Sequence, residues 1–396
     1  MDDKYILEEI SNEKEKLVED RRSLHKLAEL SSKEFKTSAY LKDEVSKLGL
    51  PIVEIEGTGF YAILDSKIPG KTIGLRADID ALPICESPNN LSKKREVKSN
   101  DENVFHACGH DGHMAILLTS MRILKANINK LTGRIIFIFE EAEETGLGIG
   151  KMLEKLKEEN IDYFYGNHLA SFLKTGEIAL DPGPVMAGFA MVDFTIKGVG
   201  GHSSRPDKAV SPIFAQAAVI QSLSSAFVNR LDPDKAVTLG LSTINGGHIH
   251  NVIADEVRIT GTLRYFDKDE GEKALDLIKD VGDGVARAHG CSFVINKIEA
   301  EHNPVVNDSY LSELMIKELS PYFGDKLLRD TRWYASESFE AYGKLAPSLF
   351  SLVGIANEEK GSGAEHHTPE FDLDEDALSE GVFAMVKFAL VLLSKK

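Results

Sequence analysis

The strongest constraint on the fold is a change in the order of apolar runs at Gly188, and its reversal near residue 302. Before that point short apolar runs (Phe60 to Leu64, Thr72 to Leu75, Arg134 to Phe139, Tyr163 to Gly166) alternate with helical stretches such as Gly112 to Ala126 and Ile149 to Glu159. Such alternation predicts an α/β domain, a mostly parallel sheet with helices on both faces. From Gly188 the series becomes strand (Ala190 to Lys197), helix (Pro212 to Phe227) and two strands (Ala236 to Ile244, Glu256 to Tyr265), then helix (Asp269 to Ala288) and strand (Ser292 to Lys297). A βαββαβ order is what a four-stranded ferredoxin-like α+β unit requires. The α/β pattern then resumes with a strand at Ser348 to Val353 and a last helix. Residues 1–187 and 301–396 are therefore expected to form one domain, with 188–300 inserted as a lid. A chain of 396 residues also exceeds the size at which one core usually keeps growing.

Local signals refine this. Residues 3–48 read as helical, with Gly49 as the stop, and Ser211-Pro212 reads as a helix start with Ser as cap. The longest apolar stretch, Val382 to Leu393, is interrupted by Lys387 and falls short of the roughly 18 residues a spanning helix needs. It is expected to be a buried helix, not a membrane segment. The 46 basic and 63 acidic side chains leave a net charge of −17, spread along the chain, which disfavours nucleic acid and anionic lipid as partners. The start MDDKYILEEISNEKEK lacks a secretory pattern, and three widely spaced cysteines make no disulfide framework. Both point to the cytoplasm.

Chemistry concentrates in a few places. His106-Ala-Cys108-Gly-His110-Asp111-Gly-His113 packs three of the 12 histidines and one of the three cysteines into eight residues, between a loop and a helix start. Thiolate and imidazole together suit zinc and other late first-row divalent ions. The run Glu140-Glu141-Ala142-Glu143-Glu144 follows an apolar strand, so it stands where open α/β sheets put their ligands. Two adjacent carboxylates there can divide the work of holding metal and serving as general base. Asp78-Ile79-Asp80, Gly166-Asn167-His168 and His366-His367-Thr368-Pro369 stand at similar positions. Each is weak alone. One metal needs about four ligands, and this set is larger, which suggests two ions.

The strings HACGHDGH, AEE, GNH, GVGGHSSRPD and HTPEFDLDE, in this order over almost the whole chain, resemble the aminoacylase and hippurate hydrolase family, which also includes plant hydrolases of auxin conjugates. That family is a branch of the two-metal exopeptidases related to carboxypeptidase G. The resemblance implies metal ligands at Cys108, His110, Glu144, His168 and His367, a general base at Glu143, and Asp80 as a carboxylate behind the ligands. Asp78 matches a metal histidine of the related peptidases and is not expected to be a primary ligand. His202 matches a histidine that polarises the scissile carbonyl, typically from a neighbouring subunit. Asn251 and Arg264 match the pair that contacts the substrate and its carboxylate.

What the resemblance implies is a homodimer formed through the lid and two divalent ions per chain, zinc or manganese first and cobalt or nickel next. The implied substrate is an N-acyl amino acid or a similar small conjugate. A dipeptidase or aminopeptidase with the same core, and a catalytically silent metal-binding protein, are the alternatives. The family pattern is altered in several places. His25-Lys-Leu-Ala28-Glu29 lacks a proline, Glu140 and Glu141 replace Gln-Pro, Ala254 replaces a proline, and Ser336-Glu337-Ser338-Phe339 has Ser for Asp. None of these removes an implied ligand or the base.

Overall fold

The computed structural model describes residues 3–394. The chain divides into two compact units, the first running to Gly183 and including Val306–Thr331 and everything from Ala341, the second comprising Pro184–Val305 and Arg332–Glu340.

The first unit is built on an eight-stranded sheet. Its strands β1 (Ile52–Glu54), β2 (Phe60–Asp65), β3 (Thr72–Asp78), β4 (Arg134–Glu140) and β5 (Tyr163–Lys174) lie in the order β1-β2-β4-β3-β5, followed by Ser348–Ala356, Ile178–Ala179 and Leu327–Leu328. The central pairs β4–β3, β3–β5 and β5 with Ser348–Ala356 are parallel, and β1–β2 and β2–β4 are antiparallel. Helices α1 (Asp3–Leu27), α2 (Phe35–Lys47), α3 (His110–Ala126), α4 (Ile149–Leu156), α7 (Ser309–Phe323) and α8 (Leu378–Leu393) belong to the same unit, and α5 (Pro212–Arg230) and α6 (Lys268–Ala288) to the other. Every residue of β3 is buried, which explains why its sequence reads as a continuous run instead of an alternation. The core joins Leu75, Phe137 and Phe139 of the sheet to Met114 and Leu117 of α3 and Phe383 and Phe388 of α8. Among the described residues no helix is long and apolar enough to cross a membrane.

Two departures from the expected elements matter for the site. The helix expected over 3–48 is broken at residues 28–34, where Ser32 takes a φ of 62°. No Gly or Pro marks the break. It is held by tertiary contacts: Leu30 bridges to Ala81, and the Glu29 carboxylate accepts the N–H groups of Lys36 and Thr37, satisfying the first amides of α2. The second departure is β5, which runs on to Lys174 and so places His168 within the strand, not after it.

In the second unit Val237–Gly246, Glu256–Tyr265, Gly188–Lys197 and Ser292–His302 pair in that order, all antiparallel. A separate core joins Phe194 and Ile259 of the sheet to Val219 of α5 and Ile278 of α6. Ser211 occupies the cap position of α5 and Pro212 begins the helix, but the serine side chain makes no capping hydrogen bond. Proline's preset φ remains as the start signal. Asp267 does cap α6, accepting from Glu270 N–H at 2.9 Å.

Candidate metal centre

The candidate ligands of the first unit come from the start of α3 (Cys108, His110), the turn after β4 (Glu144), the middle of β5 (His168) and a turn before α8 (His367). Ala142, just past β4, is held at φ 55°, where L-residues are strained. Its N–H is fixed by Glu34 Oε1 at 2.9 Å, and the sharp turn starts the short helix Glu143–Thr145. Gly109, at φ 86°, lets the loop enter α3 at His110. His367 also stands in the left-handed region, at φ 61°, with its N–H bonded to Ala107 O at 3.0 Å. Two of the six described non-glycine residues with positive φ, Ala142 and His367, thus stand among the carboxylates and histidines that the sequence singles out.

Their donor atoms converge. Cys108 Sγ lies 3.5 Å from His168 Nε2, and Glu144 Oε1 lies 3.7 Å from His110 Nε2 and 3.5 Å from His367 Nε2. Among the described residues four sets have donor atoms within 4.8 Å of one another: Cys108, His110 and His168; Cys108, Glu144 and His367; His110, Glu143 and Glu144; and Asp78, His110 and His113. The histidines are oriented from behind. His110 Nδ1 sits against Asp80 O at 3.0 Å and Asp80 Oδ1 at 3.2 Å, and His168 Nδ1 donates to Leu169 O at 2.9 Å. Each therefore turns Nε2 toward the other donors, as a metal-binding imidazole does. Asp80 Oδ2 also accepts from Glu144 N–H at 3.1 Å and from Ser31 Oγ at 2.6 Å.

His110 Nε2 and Glu144 Oε1 are buried without a hydrogen-bond partner among the described residues. Such orphaned atoms are costly unless something else satisfies them. A divalent cation fits both the gap and the mixed thiol, imidazole and carboxylate chemistry. Burial pushes the Cys108 thiol well up, with Glu144 adding to it. His110 is likewise raised, the charge of Asp78 and the Asp80 bond outweighing burial. His168 is lowered, by burial and by neighbouring His113.

Beneath these groups lies a buried charge system, of which the sequence reading singled out Asp78 and Glu140 but neither Arg76 nor Tyr342. Arg76 Nη1 bonds Asp78 Oδ2 at 2.8 Å and Arg76 Nε bonds Glu140 Oε2 at 2.8 Å, while Tyr342 donates to the same Glu140 oxygen at 2.7 Å. Against the cost of burial, His110, His113 and Arg76 hold the Asp78 carboxyl well below its usual range. The missed signal was a charged residue within each of two fully covered parallel strands, a position that demands a partner.

The remaining candidates belong to the second unit. His202 and Asn251 are neighbours: His202 pairs with Val252, and Ser203 N–H donates to Asn251 O at 3.1 Å. Ser204 N–H donates to His202 Nδ1 at 3.2 Å, which leaves the proton of a neutral ring on Nε2. Arg264 stacks on Phe189, 4.5 Å from the ring centre, and its Nη1 is buried without a partner among the described residues.

A mixed α/β fold with a cluster of thiol, imidazole and carboxylate donors along its central sheet defines an α/β protein equipped to hold divalent metal, and its kinship makes it a metal-dependent hydrolase of amide bonds. The chain belongs to Peptidase family M20/M25/M40, whose family model matches residues 74–391. It is 31% identical to thermostable carboxypeptidase 2 of Saccharolobus solfataricus, over 96% of both chains. It is 30% identical to N-acetyl-L-cysteine deacetylase of Bacillus subtilis, over 97% of this chain and 90% of the relative. Among solved structures it is similar to the YXEP protein of Bacillus subtilis, described as a dinuclear metal binding peptidase of the M20 family. The TM-score is 0.83 at 26% identity, covering 96% of this chain and 99% of that one.

Proposed function

We propose that the chain hydrolyses the acyl amide bond of N-acyl amino acids, or of similarly blocked small conjugates with a free carboxylate, using two divalent ions. The convergence of Cys108, His110, Glu144, His168 and His367 on orphaned donor atoms carries the metal reading. Cys108 with His110 and His168 would hold one ion, and Cys108 with Glu144 and His367 the other, zinc or manganese before cobalt or nickel. Bound there, divalent ions supply Lewis acidity that polarises the amide carbonyl and acidifies water. Glu143 takes the proton from the attacking water and returns it to the leaving nitrogen. His202, with Nε2–H free to donate, stabilises the oxyanion from a partner subunit, the chain being a homodimer that works in the cytoplasm.

Asn251 and Arg264 receive the carboxylate. A half-buried guanidinium with an unpartnered Nη1 favours an anionic group, to which it can give charge-assisted hydrogen bonds. Arg264→Ala is expected to raise KM strongly for N-acyl amino acids and much less for their amides, as steady-state kinetics on matched pairs will show. Equal impairment of both would exclude the clamp. A dipeptidase reading draws support from the carboxypeptidase relative. It requires unblocked dipeptides to turn over faster than N-acetyl amino acids.

A further inference from the structure

Strand β5 outruns its neighbour on one side. Its pairing with β3 ends at Arg76 opposite Gly166, whereas its pairing with Ser348–Ala356 runs through Gly354 opposite Ala170 and, after a register shift, to Ala356 opposite Lys174. Phe164 N–H donates to Pro347 O, on the Ser348–Ala356 side. By alternation along the strand, the N–H groups of Leu169 and Ser171 face the side that β3 has left. Buried amides there must find other acceptors. They find two imidazoles: Leu169 N–H donates to His113 Nε2 at 2.9 Å, and Ser171 N–H donates to His366 Nε2 at 3.2 Å.

We propose that His113 and His366 are positioning residues of the metal centre, standing in for the absent strand and so fixing the backbone that aims His168 at Cys108. The proposal rests on the metal reading above. Leu169 is the clasp, since its N–H is taken by His113 and its C=O by His168 Nδ1. Both supporting rings also touch His168 edge to face, with centroids 4.6 Å away for His113 and 5.4 Å for His366. Gly112 lets α3 come close to β5, because a Cβ there would meet Leu169 Cδ1 at 2.4 Å and that side chain would have to shift.

The competing assignment makes His113 a ligand, since its donor atoms lie with those of Asp78 and His110 within 4.8 Å. Hydrogen bonding argues against it. With Nε2 accepting an amide proton, the ring carries its own proton on Nδ1, which meets Asp78 Oδ1 at 2.7 Å. Asp78 Oδ2 is in turn held by Arg76. No lone pair of His113 is left for a cation.

The test uses the full chain with His113→Leu, His113→Gln, whose side-chain oxygen restores an acceptor, and His366→Leu. Zinc stoichiometry at saturation, zinc affinity by chelator competition, and amide hydrogen exchange of the metal-free protein are measured. His113→Leu is expected to keep two zinc ions at saturation while affinity for the weaker-held one falls about 10–100-fold, the usual effect of losing a group behind a ligand. His113→Gln recovers most of that loss. Leu169 exchange accelerates in His113→Leu and Ser171 exchange in His366→Leu, with β4 amides unchanged. One ion at saturation in both His113 variants would make His113 a ligand and overturn the proposal, as would unchanged affinity with unchanged exchange. If His113→Leu does not fold, His366→Leu decides by the same readings. A wild-type protein that binds no zinc refutes the metal reading instead, and the exchange measurement still judges the splint.

Discussion

Glu143 and Glu144 are chain neighbours set by the same strained Ala142, yet their surroundings separate them. The Glu144 N–H is held by Asp80, and its carboxylate lies 3.7 Å from His110 Nε2 and 3.5 Å from His367 Nε2, while the donor atoms of Glu143 gather with those of His110 and Glu144. Glu144, which faces both histidines, suits a ligand, and the family resemblance makes Glu143 the base. Glu143→Gln keeps the shape and removes the basic oxygen, so metal content should stay at the wild-type value while kcat falls by about two to four decades. Elemental analysis beside single-turnover kinetics checks both, and near-normal turnover removes Glu143 from the role. At this scale the sequence was readable where residue type alone decides, as with the thiol and imidazoles of HACGHDGH. Residue type did not say which histidine is the ligand, and only the family resemblance named His110. His110 and His113 are equivalent in the string, and only the hydrogen bonds to Asp80, Asp78 and Leu169 distinguish them.

At the scale of elements, α1 is tied to the metal loop by a buried charge cluster. His25 Nδ1 lies 2.7 Å from Asp111 Oδ2 and Nε2 lies 2.9 Å from Glu86 Oε1, so both nitrogens face carboxylates and the ring is held as a cation. Arg21 bonds the same Asp111 oxygen at 2.9 Å, Arg95 approaches Glu86 at 3.5 Å, and the ring of His106 lies 6.4 Å away. Burial and Arg21 oppose protonation, but Asp111 and Glu86 prevail and the pKa of His25 is raised. A raised folded-state pKa gives stabilisation that is complete below the unfolded value, about 6.5, and is lost as pH rises through the folded value. His25→Leu removes the partner that both buried carboxylates share and leaves them to Arg21 and Arg95, so it should cost about 3 kcal/mol near pH 6, the low end for a broken buried pair. The gap from wild type should narrow at higher pH. Urea unfolding across that range checks it, and a gap independent of pH would mean a neutral ring. The strands were legible because covered parallel strands are written as apolar runs. The break at 28–34 was not, because Ala28-Glu29-Leu30-Ser31 carries ordinary helix formers and the turn is imposed from outside, by Ala81 and by the amides of α2. The length of β5 escaped for a related reason: past Gly166 its hydrogen bonds on one side go to imidazoles, which no strand pattern encodes.

For the whole molecule the open question is the partner surface of the second unit. Its sheet ends in the strand Val237–Gly246, whose outer hydrogen-bonding edge is unpaired among the described residues, and Phe214 and Val228 of α5 are 74% and 82% exposed. An unpaired edge beside large exposed apolar side chains is a surface that a soluble protein normally covers, and a two-fold copy covers it with the same edge. A homodimer through this unit would let His202 of one chain serve the metal centre of the other. Active sites would then be built from two chains, and two inactive variants should complement. Mixing His202→Ala with Glu143→Gln under conditions of subunit exchange gives heterodimers in which one site regains both groups and the other loses both. If exchange is complete, half of all dimers are mixed and each carries one competent site, so activity should return to about a quarter of the wild-type value. Sedimentation establishes the dimer, and differently tagged chains establish the exchange. Mixed dimers that remain inactive would confine His202 to its own chain, or remove it from catalysis, while leaving the assignment of Glu143 and the metal ligands intact.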